Sequence, residues 1–240
     1  MWCWCSDDWA EGDGIVNFPV LTLLALLPAI GAGLVLVLGA RLARQVALGT
    51  SLVTLLVAVL VAVGFSPGGG LQLAEQVPWI RPLGAYYALG LDGIGLTLVL
   101  LVVIVTPVVI LASWRDFDRP FKPQNGADSL PPKYGPRVFF ALVLAVQTCA
   151  LFLFLATDVF LFYVFFEVIL IPMYFLIGGF GPGPRRTYAA AKFLIFGLLG
   201  GFVMLASVVG LYVQSAAAGE PSYLLSTCLL YTSPSPRDRS

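Results

Sequence analysis

The sequence predicts an all-α protein, a polytopic membrane bundle of six helices, and three observations carry the prediction. The first is composition: of 240 residues, 59% are apolar and 11% charged, against roughly 25% charged in soluble domains, and the mean hydropathy is +0.94. The second is run length. A hydrocarbon core about 30 Å thick needs roughly 20 apolar residues of helix, and residues 16–40, 46–65, 88–113, 138–156, 158–180 and 188–213 each meet that requirement. The third is the placing of Lys and Arg, which falls on alternate loops as it does in membrane proteins with a cytoplasmic positive side.

Residues 1–15 form an acidic segment, "SDDWAEGDG" at its centre. A cleavable signal peptide would be basic there and shorter in its apolar part, so the first span is expected to remain. The first loop carries Arg41 and Arg44, and the third carries Arg115, Arg119, Lys122, Lys133 and Arg137. The fifth loop carries Arg185 and Arg186, while the other side holds only Arg81 before the terminal tail. Loops one, three and five are therefore expected in the cytoplasm and the N-terminus on the outer side. Loop three, "WRDFDRPFKPQNGADSLPPKYGPR", reads as an irregular surface segment rich in Pro and charge. The turn at residues 178–186 is short enough to make spans five and six antiparallel neighbours. Residues 214–227 read as a truncated outer-side loop. Residues 228–240, "CLLYTSPSPRDRS", resemble a translated cloning adapter, which marks the chain as an expected fragment.

Balanced charge, 13 basic and 13 acidic residues, gives no global field suited to nucleic acid, and the absence of histidine removes both a histidine base and a histidine metal ligand. The cysteines, Cys3, Cys5, Cys149 and Cys228, have neither disulfide-framework nor zinc spacing; Cys3-Trp4-Cys5 lacks partner ligands. No metal or cofactor site is expected. In the third span Asp92 reads as a helix N-terminal charge and Pro107 as a kink. Gln147 and Thr148 in the fourth read as interhelical hydrogen-bond groups, with contact to a wire of water as the alternative, and Gly197 and Gly201 in the sixth as a small-residue packing pair.

The fifth span, "TDVFLFYVFFEVILIPMYFLIGGF", holds the main functional candidate. Glu167 lies nine residues past Asp158, roughly 13 Å along a helix and near the bilayer midplane. An acidic residue there costs about 2.5–3.5 kcal/mol on insertion scales and faces protein or water. Tyr163 and Tyr174, at i−4 and i+7, share its helical face. Pro172 lacks an amide hydrogen and leaves the Val168 carbonyl free beside it. Lys192, six residues past Arg186, lies about 9 Å into the membrane from the cytoplasmic side, where snorkelling is the competing explanation. Desolvation raises the pKa of carboxylic acids in general and a nearby ammonium lowers it, so an acid poised between the two can take up and release a proton. A static hydrogen bond from a permanently protonated Glu is the plainer alternative.

The strings "FLFLATDVFLFYVFFEVILIPMYFLIGGFG", "RRTYAAAKFLIFGLLGGFVMLA" and "LGLDGIGLTLVLL" together resemble subunit M, or chain 4, of bacterial NADH:quinone oxidoreductase, an antiporter-like subunit of respiratory complex I. The resemblance spans residues 16–213. It implies that Glu167 is the family's fifth-helix glutamate, a proton relay, and Lys192 its sixth-helix lysine. It further implies a fourteen-helix subunit of which spans one to six are present, without the broken seventh helix whose lysine pairs with the glutamate, so the piece alone is expected to be inactive. Cofactors (NADH, FMN, iron–sulfur clusters and quinone) would sit in partner subunits. Partners would be other membrane subunits of complex I, the lipid bilayer and protons, in a bacterial inner membrane. Two departures are a longer loop three and Phe166 where many relatives have Trp. The competing readings are a subunit of a multisubunit sodium/proton antiporter or membrane-bound hydrogenase, and a structural membrane scaffold.

Overall fold

A computed structural model describes residues 19–66, 70–80, 85–117, 133–181 and 183–217. The chain runs α1 (Val20–Val37), α2 (Ala40–Val63), β1 (Gln72–Ile80), β2 (Ala85–Leu91), α3 (Gly93–Ala112), α4 (Pro136–Leu155), α5 (Val159–Phe180) and α6 (Arg186–Ala217), with a short 3-10 turn at Ser113–Arg115 after α3. All six helices are long and apolar enough to cross a membrane, and the protein is a multi-pass membrane helical bundle. The acidic segment at 1–15, most of loop three and the tail at 228–240 lie outside the described residues.

Local chemistry sets the helix ends. Gly39, between α1 and α2, has φ +95°, a left-handed conformation in which glycine carries no Cβ penalty. Asp92 caps α3, its carboxylate accepting from the Gly95 amide at 2.6 Å. Pro136 opens α4, where its missing N–H removes no intrahelical bond. Asp158 caps α5, accepting from the amides of Phe160 at 2.9 Å and Leu161 at 3.0 Å.

The helix most enclosed by its neighbours is α4, against which α1, α2, α3 and α5 pack. Of its spanning stretch 56% is buried, against 11% for α6, which packs chiefly on α5. The two larger apolar clusters among the described residues hold most of the bundle. One, at the hairpin end, gathers Leu21, Leu24, Leu89, Val99, Leu151 and Leu161. The other, at the opposite end, gathers Val35, Ala47, Ile110, Phe140 and Leu144, with the rings of Phe117, Phe139 and Phe180 packed edge to face beside it.

The hairpin β1–β2 corrects the expected third span, which does not start at Ala88. Residues 85–91 form a strand, antiparallel to β1 in the register Gln76↔Ala88, Val77↔Tyr87 and Pro78↔Tyr86, and α3 begins only at Gly93. The cause is Asp92, whose extended backbone (φ −107°, ψ 176°) ends the strand and whose side chain starts the helix. At its far end α6 continues to Ala217, four residues beyond the expected limit of the sixth span.

Two carboxylates tie the hairpin to the bundle. Glu75 of β1 accepts from the amides of Leu21 at 2.7 Å and Thr22 at 3.2 Å, and from the Thr22 hydroxyl at 2.6 Å, so a strand residue caps the first turn of α1. The single hydroxyl hydrogen of Thr22 is thereby committed, and the Tyr87 hydroxyl donates to Thr22 Oγ1 at 2.9 Å. Burial pushes the Tyr87 phenol above its ordinary range; the Thr22 bond opposes this and the Glu75 charge adds to it. That keeps Tyr87 a neutral donor. Asp158 uses its second oxygen to accept from the Tyr86 amide at 3.1 Å, and the Thr157 amide donates to Ala88 O at 3.0 Å.

Candidate functional site

The interface between α5 and α6 holds the intramembrane acid. Side chains recurring at i, i+3 and i+4 share one helical face, and Tyr163, Glu167, Leu170, Tyr174 and Gly178 form such a stripe along α5. On α6 the matching stripe is Ala190, Gly197, Gly201, Met204 and Val208. The two meet antiparallel. The position of a Gly178 Cβ lies 3.3 Å from Ala190 Cβ, and that of a Gly197 Cβ 3.0 Å from the Leu170 methyls. One step further, the Glu167 carboxyl sits directly on Gly201, with Oε1 in the space a Cβ would fill. Beyond that, Tyr163 packs beside Met204 and Val208.

Glu167 is the eighth residue after Val159 in a 22-residue helix, so it lies about 12 Å in, well inside the span. The residue is half-buried, and its Oε1 is enclosed without a hydrogen-bond partner among the described residues. Tyr163, one turn toward the hairpin end, is within electrostatic reach of it. Pro172 is buried inside α5 and supplies no amide hydrogen to the Val168 carbonyl. The arrangement therefore places an ionisable oxygen in the middle of the apolar layer with no donor on it among the described residues, next to a carbonyl that receives no i+4 amide hydrogen.

Tyr174 belongs to a separate place. It lines a cavity of about 120 Å³ at the end of the bundle opposite the hairpin, with Lys133, Tyr134, Gly179 and Thr187. Lys133 is fixed there by its amide, which donates to Gly179 O at 2.9 Å, and its ammonium lies 5.6 Å from the Tyr134 ring centroid. Tyr174 thus shares the Glu167 face but stands two turns away, about 10 Å along the helix.

Lys192 is exposed, with Nζ 5.8 Å from the Phe196 ring centroid. It precedes Gly201 by nine residues, roughly 13 Å along α6 and a half-turn around it, so it stands on the side of α6 away from α5. The described residues do not bring Lys192 and Glu167 together.

The fourth helix departs from expectation. Thr148 donates to the carbonyl of Leu144 in its own helix at 3.0 Å, and neither polar atom of the buried Gln147 has a partner among the described residues. Among the described residues neither bonds across helices: the side chains facing Gln147 are apolar apart from Thr106, whose hydroxyl donates to Val102 O in its own helix. Gln147 instead lines an apolar cavity of about 410 Å³ with Leu101, Val102, Val105 and Thr106 of α3 and Leu176 of α5. Among the described residues no group of His, Cys, Asp and Glu could hold a metal ion; the Cys3 and Cys5 pair lies outside them. The Gly201 recess was not legible from spacing, which shows two small residues four apart but not what each one receives. The Glu75 cap had no local signal, since 53 residues separate Glu75 from Thr22. The Asp158 cap did have one, an Asp directly before an apolar helical run.

The family of the NADH:quinone oxidoreductase/Mrp antiporter transmembrane region matches residues 156–225, which include Glu167, Lys192 and Gly201. NADH-quinone oxidoreductase subunit M of Mycobacterium tuberculosis is 42% identical over 218 residues, covering 83% of this chain and 39% of that protein. The chain thus spans about two-fifths of the length of that relative. Among solved structures, respiratory complex I from Thermus thermophilus with bound NADH aligns with TM-score 0.70 and 28% identity over 88% of this chain and 39% of that one. The Mrp complex from Dietzia aligns with TM-score 0.71 over 90% of this chain and 22% of that one. At 21% identity, this second likeness concerns the fold alone. By sequence and by fold, the chain is similar over most of its length to one part of the antiporter-like membrane subunits of complex I.

Proposed function

We propose that the chain works as part of a proton-translocating membrane subunit of an NADH:quinone oxidoreductase, with Glu167 as the group that takes up and releases the proton. The observation that carries this reading is the Glu167 carboxyl itself, mid-span in α5, one oxygen enclosed against Gly201 with no donor committed to it among the described residues. A carboxyl serving only as a structural bond would be expected to hold a partner, because an unpartnered polar group in hydrocarbon costs free energy and yields no specificity. The 42% identity to a protein named as subunit M of that enzyme favours this over the sodium/proton antiporter reading, for which the 21% identity supports fold alone.

Tyr163 supports the site as a neighbouring hydroxyl on the approach from the hairpin end. Pro172 supports it by giving no amide hydrogen to the Val168 carbonyl, which can hold water beside the acid. Tyr174 marks the opposite approach, where its cavity meets Lys133 and Thr187. Lys192 acts as a second station. Its distance from Glu167 means that a proton passing between them needs an intermediate carrier. The redox chemistry and its NADH, FMN, iron–sulfur and quinone groups belong to partner subunits, with which this subunit assembles in a bacterial inner membrane. Loops one, three and five face the cytoplasm and the hairpin faces the other side, as the Lys and Arg bias requires.

The test is substitution in the full-length subunit assembled with its partners. Glu167→Gln keeps size and hydrogen bonding but not the ionisable group. The expected result is normal assembly with loss of proton translocation per NADH oxidised, and partial retention in Glu167→Asp. Normal translocation in an assembled Glu167→Gln complex would leave Glu167 a neutral packing group and remove the reading.

A further inference from the structure

Three glycines on one stretch of α6 meet three different surroundings. A Cβ on Gly200 would find nothing within 4 Å. One on Gly197 would touch the two Leu170 methyls at 3.0 Å, an apolar contact that a small side-chain movement relieves. One on Gly201 would lie 2.7 Å from Glu167 Cδ and 3.4 Å from Oε2, and would coincide with Oε1. Gly201 is buried, and the amides of α6 around it are committed to the helix ladder, so the recess offers the carboxyl oxygen shape and only weak Cα–H contact.

We propose that Gly201 is a positioning residue for Glu167: the missing side chain at position 201 makes the recess that seats the carboxyl between α5 and α6. The inference rests on the reading of Glu167 as the proton-carrying group and adds what holds that group in place. The carboxyl ends a flexible stem with three rotatable bonds, and no hydrogen bond fixes Oε1 among the described residues. Steric fit to Gly201 is therefore what selects its rotamer. A methyl group at 201 cannot be accommodated by withdrawing the carboxyl along its own axis, because the stem length is fixed. It forces a different rotamer and carries the acid away from α6. Gly197, four residues earlier in the same small-residue pair, has no such role, since what it receives is a leucine.

The experiment is a size-complementation cycle in the full-length subunit assembled with its partners in membrane vesicles, reading proton translocation per NADH oxidised and the amount of assembled complex. Gly201→Ala is expected to lower translocation about ten-fold, as overpacking at a fixed site does, while Gly200→Ala behaves as wild type. Glu167→Asp withdraws the carboxyl by one methylene, about 1.5 Å, and makes room for the added methyl. The Glu167→Asp, Gly201→Ala double variant is therefore expected to translocate several-fold better per assembled complex than Gly201→Ala alone, a coupling that a packing defect not involving Glu167 does not produce. If Gly201→Ala prevents assembly, the same rescue is read in the amount of assembled complex. Translocation in Gly201→Ala equal to that of Gly200→Ala, or a double variant no better than Gly201→Ala, overturns the inference. Glu167→Gln measured alongside separates the two levels. If it abolishes translocation and Gly201→Ala does not affect it, only the positioning role falls; if Glu167→Gln translocates normally, the reading beneath it falls as well.

Discussion

Replacing Asp158 by alanine should loosen the hairpin and fray α5 together, because one buried carboxylate serves both. Asp158 is 1% exposed. Its Oδ1 accepts from the amides of Phe160 and Leu161 at 2.9 and 3.0 Å, and its Oδ2 from the Tyr86 amide at 3.1 Å. Loss of the cap costs about 1 kcal/mol, and leaving the half-buried Tyr86 amide unpaired about 1–3 kcal/mol more. The sum, about 2–4 kcal/mol, corresponds to roughly a thirty- to thousand-fold faster opening of the Tyr86 amide. Asp158→Asn keeps one carbonyl oxygen but turns a donor toward either Tyr86 or the helix amides, so it should fall between alanine and wild type. Amide hydrogen exchange on the protein in lipid nanodiscs reads both sites, Tyr86 on the strand and Leu161 in the helix. Unchanged exchange at Tyr86 in Asp158→Ala would refute the claim that Asp158 pins the hairpin.

The buried amide of Gln147 has no partner among the described residues, so Gln147→Leu should leave thermal stability unchanged or raise it, by up to about 2 kcal/mol; a clear loss would mean that the amide is paired. Gly179→Ala places a Cβ 2.7 Å from the Tyr134 ring and should displace that ring from the end of α5, at a cost of about 1–3 kcal/mol, seen as a lower unfolding midpoint than for Gly200→Ala. Reporter fusions at Arg44, Lys122 and Arg186 should all read cytoplasmic, and an outer-side signal at two of them contradicts the orientation.

Run length and hydropathy made the six helices legible, because a bilayer sets one length for each and the apolar stretches are separated by Pro, Gly and charge. The depth of Glu167 was legible for the same reason, as a matter of rise per residue. The hairpin was hidden on both strands. β2 is an apolar run, "AYYALGL", that continues into the third helix with only Asp92 between, and β1 mixes Glu75, Gln76 and Pro78 in a way that suggests a loop. What the hairpin does with its carboxylate was further out of reach, since Glu75 meets Thr22 across 53 residues. The candidate site divides similarly. The shared face of Tyr163, Glu167 and Tyr174 followed from helix periodicity, whereas the Gly201 recess depends on how two helices register, and periodicity within one helix carries no register between two. Lys192 and Glu167 could be placed by depth along their own helices, but the half-turn that sets Lys192 away from α5 follows only from knowing which face of α6 meets α5.

Whether Glu167 changes its protonation state during turnover is read by infrared difference spectroscopy on the full-length subunit in its assembled complex during NADH oxidation. A carboxyl C=O band should rise or fall with turnover in the wild type and be absent from the Glu167→Gln spectrum. Identical difference spectra in the carboxyl region for wild type and an assembled Glu167→Gln complex would contradict a change of protonation at Glu167.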